Sequence, residues 1–189
     1  MRLALFGGIL VACTCAIAGT FVVLRGLAFV GDALAHGVLP GIATAMLLGV
    51  SGIVGAAIGA AIMMGGVSVV SRRFRLSGDT AIGLLFVGML ALGVMITSRS
   101  SSFVGDLANI LFGELLGITT TDLAWQFIAL LVVGAIAFVS RRPFLLLTVD
   151  DGLARTSGFS ARLFHNVMLA MVALTVIASF QTVGTLLVL

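Results

Sequence analysis

A chain of 189 residues with 61% hydrophobic and 9% charged side chains, at a mean hydropathy of +1.31, cannot coat a water-facing surface. Soluble domains carry about 25% Asp, Glu, Lys and Arg, so the solvent of this chain is lipid. The net charge of +3 comes from ten arginines, no lysine and seven acids. Without lysine there is no Gly-x-x-x-x-Gly-Lys-[Ser/Thr] phosphate loop, which excludes a P-loop ATPase. The arginine placement argues against nucleic acid: Arg72, Arg73 and Arg75 fill one short linker and Arg141, Arg142, Arg155 and Arg162 another. That is the pattern of cytoplasmic connections between membrane spans.

A bilayer core of about 30 Å needs roughly 20 apolar residues in helical form. The first such run is Leu3 to Leu24, longer than the apolar core of a signal peptide. It holds Cys13 and Cys15, which a helix turns to different faces, so both read as small packing residues rather than a disulfide or zinc knuckle. From Ala33 to Ser71 no charged residue occurs, a length that must be two spans. The break falls at Gly49-Val50-Ser51-Gly52, predicting helices from Leu34 to Val50 and from Ile53 to Val70. Gly55 and Gly59, four apart, offer a close-packing face.

Ser77 and Asp79 supply helix caps for a span from Ala81 to Thr97. The stretch from Asp106 to Gly117 is short and holds Glu114, which leaves open a re-entrant or interfacial hairpin. Leu123 to Ser140 crosses again, with Trp125 at its interfacial start. Residues 141–162 form the one long polar stretch, a cytoplasmic loop with a short helix. Leu163 to Leu189 is free of charge and stops without a polar end, the expectation being a chain truncated at its C-terminus. The reading is an all-α, polytopic transmembrane bundle of about six spans forming a single domain, residues 1–189. It lies in a cell membrane, in contact with lipid, with the N-terminus outside.

Ionisable groups inside spans are expensive to keep and point to function. In Gly31-Asp32-Ala33-Leu34-Ala35-His36-Gly37, a carboxylate and an imidazole four apart stack on one helix face. Together they suit a divalent metal such as zinc, manganese or iron. Two ligands are half a site, and a second copy across a two-fold axis would complete four. The competing reading is an Asp cap with an interfacial His. His165, Met63 and Met64 read as interfacial or packing residues, and Gln181 as either a hydrogen-bonding partner for a neighbouring helix or a pore-lining group. No nucleophile, base and orienter set is present, so transport is favoured over catalysis, with no permanently bound cofactor.

Four blocks resemble, in order, a signature of the membrane subunits of metal-ion ABC transporters: Gly31 to Gly41 (GDALAHGVLPG), Asp79 to Gly83 (DTAIG), Ile110 to Gly113 (ILFG) and Gln181 to Leu187 (QTVGTLL). The resemblance implies a paired, homodimeric permease, cytoplasmic ATPase subunits, and an extracytoplasmic metal-binding protein that delivers the ion for import. It implies that Asp32 and His36 touch the ion. It also implies a coupling helix within Asp150 to Gly158 that docks in the ATPase, carried here by Asp150, Asp151, Leu153, Ala154 and Gly158. The family's loop often reads Asp-x-Glu-x-Ala, where this chain has Asp150-Asp151-Gly152-Leu153-Ala154. Two alternatives stay open from the residues themselves: an ATP-independent cation transporter or channel with Asp32 as proton-coupling group, and an inactive permease fragment.

Overall fold

The computed structural model describes residues 2–27, 29–74, 76–98, 119–150 and 156–183. Eight helices lie wholly within them: α1 Arg2–Leu24, α2 Phe29–Gly37, α3 Leu39–Leu47, α4 Gly52–Phe74, α5 Gly78–Ser98, α6 Thr120–Val139, α7 Arg141–Val149 and α8 Ala161–Val183. Among the described residues, six stretches are long and apolar enough to cross a membrane, α2 and α3 together making one of them. The chain is a multi-pass, all-helical membrane protein. A 23-residue helix such as α1 is about 35 Å long, enough to span with some tilt.

In lipid there is little hydrophobic drive between helices, and close packing of small residues takes its place. The buried set follows that rule, with Ala18, Ala33, Ala35, Ala56, Ala60 and Ala81 lining the seams. Large apolar side chains such as Phe6, Leu48, Leu84, Phe138 and Val139 face outward, the inverse of a water-facing surface. Cys13 is exposed, Cys15 is partly buried, and both are free thiols.

The helix boundaries have local causes. α1 and α3 end in Schellman turns: Leu27 N–H donates to Val22 C=O and Gly26 N–H to Val23 C=O, and Val50 N–H donates to Ala45 C=O and Gly49 N–H to Met46 C=O. Gly26 and Gly49 occupy the left-handed position, at φ +68° and +69°, where a Cβ would be strained. Ser77 caps α5, its Oγ accepting from Thr80 N–H at 3.3 Å. α6 starts three residues before the expected Leu123, because Thr119 and Asp122 form a reciprocal capping box. Asp122 carries that start while Trp125 faces outward.

One sequence expectation is corrected. The second span begins at Phe29 rather than Leu34 and is broken at Val38. Pro40 explains the break: it has no N–H to give the carbonyl of His36, and it sits in the first turn of α3, where proline is tolerated. In the polar stretch, α7 occupies 141–149, and the coupling helix expected around 150–158 falls largely outside the described residues, with Thr156 in helix. An edge-to-face series ties α7 to its neighbours: Phe21 with Phe144 at 5.2 Å, Phe144 with Phe164 at 6.4 Å, and Phe164 with Phe159 at 5.6 Å. The hairpin expected over 106–117 lies outside the described residues, as do Asp151, Leu153 and Ala154.

Candidate metal-ion site

α2 enters the bundle from the arginine-bearing end and carries Asp32 in its first turn and His36 in its last. Asp32 is therefore inside the helix, one turn below His36, and does not cap it. The helix seats its apolar face through Val30, Ala33, Leu34 and Ala35, all buried. That leaves Asp32 and His36 partly open, with side chains 35% and 20% exposed.

His36 Nε2 stands 3.3 Å from Asp32 Oδ1. Two donor atoms each about 2.1 Å from one ion would stand about 3.0 Å apart at a right angle and about 3.4 Å apart at the tetrahedral angle. The pair thus already has the separation that one divalent ion imposes, without backbone movement. In the ion's absence the imidazole and the carboxylate face each other directly, an ion pair when the imidazole is protonated. The ring is held edge-on against Phe86 of α5, centroids 5.6 Å apart. His36 Nδ1 is shielded from solvent and has no hydrogen-bond partner among the described residues. No third His, Cys, Asp or Glu joins the pair to form a larger ligand cluster among those residues, so the pair offers two of the four ligands of a tetrahedral shell.

The junction that follows His36 is packed much harder. A Cβ on Gly37 would lie 3.1 Å from Met63 Cγ. One on Gly41 would meet Gly59 Cα at 2.9 Å and the Gly55 carbonyl oxygen closer still. A Cβ on Gly59 would lie 3.1 Å from Val38 Cα. Gly41, Gly55 and Gly59 thus bring the α3 and α4 backbones into direct contact, and Pro40 closes on Gly93 of α5. Met63 is buried beneath Gly37, which is a packing role.

Of the other residues singled out, Asp150 is exposed at the end of α7 and Gly158 has φ +81°. Gln181 lies in α8, and its side chain is outside the described set. Two features were not read from the sequence. Gln126 of α6 is buried at 2% exposure, its amide without a hydrogen-bond partner among the described residues. Its only sequence signal was an uncharged polar residue beside Trp125, near the start of the span. Arg25, Arg162 and His165 come together around one cavity, which distance along the chain concealed.

The whole chain, residues 1–189, matches the profile of the ABC 3 transport family. This chain belongs to that family. Among its relatives is a manganese transport system membrane protein of Halalkalibacterium halodurans, 37% identical over 189 residues, which span all of this chain and 64% of the relative. A chelated iron transport system membrane protein of Yersinia pestis is 33% identical, over all of this chain and 63% of the relative. A solved structure, PsaBC from Streptococcus pneumoniae in complex with Fab, superposes with a TM-score of 0.81 at 28% identity, covering 99% of this chain and 67% of that one. The chain spans about two thirds of the length of the relatives it matches.

Proposed function

We propose that this ABC 3 family chain forms the path of a permease that imports a divalent transition metal, manganese or iron foremost and zinc as a third candidate, driven by a separate ATPase. The observation that carries the reading is the Asp32–His36 pair. It has the donor set, spacing and partial exposure that a borderline divalent ion requires, inside a span where an ionisable pair is otherwise costly. The relatives named for manganese and iron transport support the same cargo.

The half shell favours a paired assembly: a second copy, related by a two-fold axis, brings its own pair and makes four protein ligands. The arginine-bearing end is the cytoplasmic end by the positive-inside rule. There the ATPase docks on the connection that contains Asp150 and Gly158, and the extracytoplasmic binding protein loads the ion from the opposite end. The protein supplies a route and ligands, with no chemistry of its own and no resident cofactor.

The test is metal accumulation by cells carrying the native protein with its transport partners, compared with His36→Ala. Loss of accumulation with the assembled complex intact is expected. Normal accumulation in the variant would remove the ligand role. Accumulation that survives ATP depletion but collapses with the proton gradient would replace the ATP-driven reading with a proton-coupled one.

A further inference from the structure

The six described spans in series place the connections after the first, third and fifth on one face, and seven of the ten arginines fall in those connections, with Arg162 in the first turn of the last span. On that face the α1–α2 turn, the end of α4 and the starts of α5 and α8 enclose a cavity of about 410 Å³. Its polar lining is Arg25, Ser68, Ser71, Arg162, His165 and Asn166. Each of these can donate a hydrogen bond, and among the described residues no carboxylate lines the cavity. Gly78 and Ala161, also in the wall, are the first residues of two helices of 21 and 23 residues. Both long helices therefore turn their positive ends toward the space. Arg25 Nη1 and His165 Nδ1 are shielded from solvent. Below the polar rim the wall turns apolar, with Leu27, Val67 and Leu169 buried.

This arrangement is wrong for the ion. A divalent cation leaving the Asp32–His36 pair by this route would meet two guanidinium groups and two helix N-termini. It is right for an anion with an apolar continuation, at the ends of the spans that the positive-inside rule assigns to the cytoplasmic side. We propose that the cavity is a phosphate site, taking either the headgroup of an anionic phospholipid or a soluble phosphate ester. A ligand there touches the α1–α2 turn, α4, α5 and α8 together, and so braces the end of the bundle from which α2 enters. A basic pocket between spans is a recognised setting for anionic headgroups.

The experiment is native mass spectrometry of the full chain purified in mild detergent. It compares phosphatidylglycerol with phosphatidylcholine at equal concentration, alongside thermal unfolding with glycerol 3-phosphate. Arg162→Gln removes a lining charge, and Asn166→Asp places a carboxylate in the same wall at nearly constant volume. Arg73→Gln removes an exposed charge that does not line the cavity. We expect phosphatidylglycerol to be retained about fivefold over phosphatidylcholine, with the preference falling about fivefold in Arg162→Gln and Asn166→Asp and holding in Arg73→Gln. If glycerol 3-phosphate raises the unfolding midpoint of the native chain but not of the two cavity variants, while the lipids bind alike, the ligand is a soluble phosphate. No preference for either phosphate compound would overturn the proposal. So would an equal loss in Arg73→Gln, because general surface charge would then explain the binding.

Discussion

The two halves of the broken second span, α2 and α3, are nine residues each and carry parts of one continuous motif, Gly31 to Gly41, yet they are packed on opposite principles. α3 is pressed backbone to backbone against α4, with Gly41 on Gly55 and Gly59. α2 keeps Asp32 and His36 partly open, with one aromatic edge from Phe86 steadying the imidazole. The tight half leaves no room for a methyl group. The open half holds two costly side chains at the separation one ion requires. The rigid half holds the span in register, and the open half presents the ligands. Pro40 marks the boundary by withholding the N–H that would join the two halves into one uninterrupted helix.

Breaking the tight half has the largest expected effect. In Gly55→Leu, a side chain must enter where even a Cβ would stand 2.5 Å from Ala45 Cβ and closer to the Gly41 carbonyl. The helices must part, and we expect destabilisation at or beyond the upper end of the ~1–3 kcal/mol usual for overpacking. It would be read as loss of monodisperse protein in detergent. Breaking the open half leaves the fold alone and strikes function. His36→Ala or Asp32→Asn should lower metal accumulation at least about tenfold, since loss of even a second-shell partner costs 10–100-fold, with helical content unchanged by circular dichroism.

Smaller changes sharpen the contrast. Pro40→Ala returns an N–H for the carbonyl of His36, about 0.5–1.5 kcal/mol, but removes the ring that lies 3.5 Å from the Cβ position of Gly93. The net change in thermal midpoint should be small, with stronger hydrogen-exchange protection around Val38. Gly31→Ala should change least. The position belongs to the same motif as Gly41, but no described residue lies within 4 Å of a Cβ there. Its effect should stay within the ~1 kcal/mol that helix propensity offers in favour of alanine. A large loss of stability in Gly31→Ala would contradict the division between the two halves.

The spans were legible because lipid demands long charge-free runs, and the break at 49–52 was legible because glycine and serine interrupt one. The Asp32–His36 pair was legible because four-residue spacing on a helix determines which side chains share a face. Less legible was where helices begin. Asp32 read as a cap or an entry residue, and the decisive fact, that Phe29 already lies in helix, depends on how α2 seats Val30 and Ala33 against its neighbours. Asp122 drew no attention as an isolated acid, although Thr119 three residues earlier carried the capping-box signal. The glycines show the limit of spacing most clearly. Gly55 and Gly59 suggested a close approach, but nothing local distinguishes Gly41, which touches backbone, from Gly31, which no described residue approaches. That difference is tertiary, as is the meeting of Arg25 with Arg162.

The central claim is that Asp32 and His36 ligate the transported ion, and the most direct measurement is electron paramagnetic resonance of Mn²⁺ added to the purified protein in detergent. The account predicts a bound Mn²⁺ signal with hyperfine coupling to an imidazole nitrogen, at one ion per two chains. The nitrogen coupling should disappear in His36→Ala, and binding should weaken in Asp32→Asn. A bound signal without nitrogen coupling, or one unchanged by both substitutions, would contradict it.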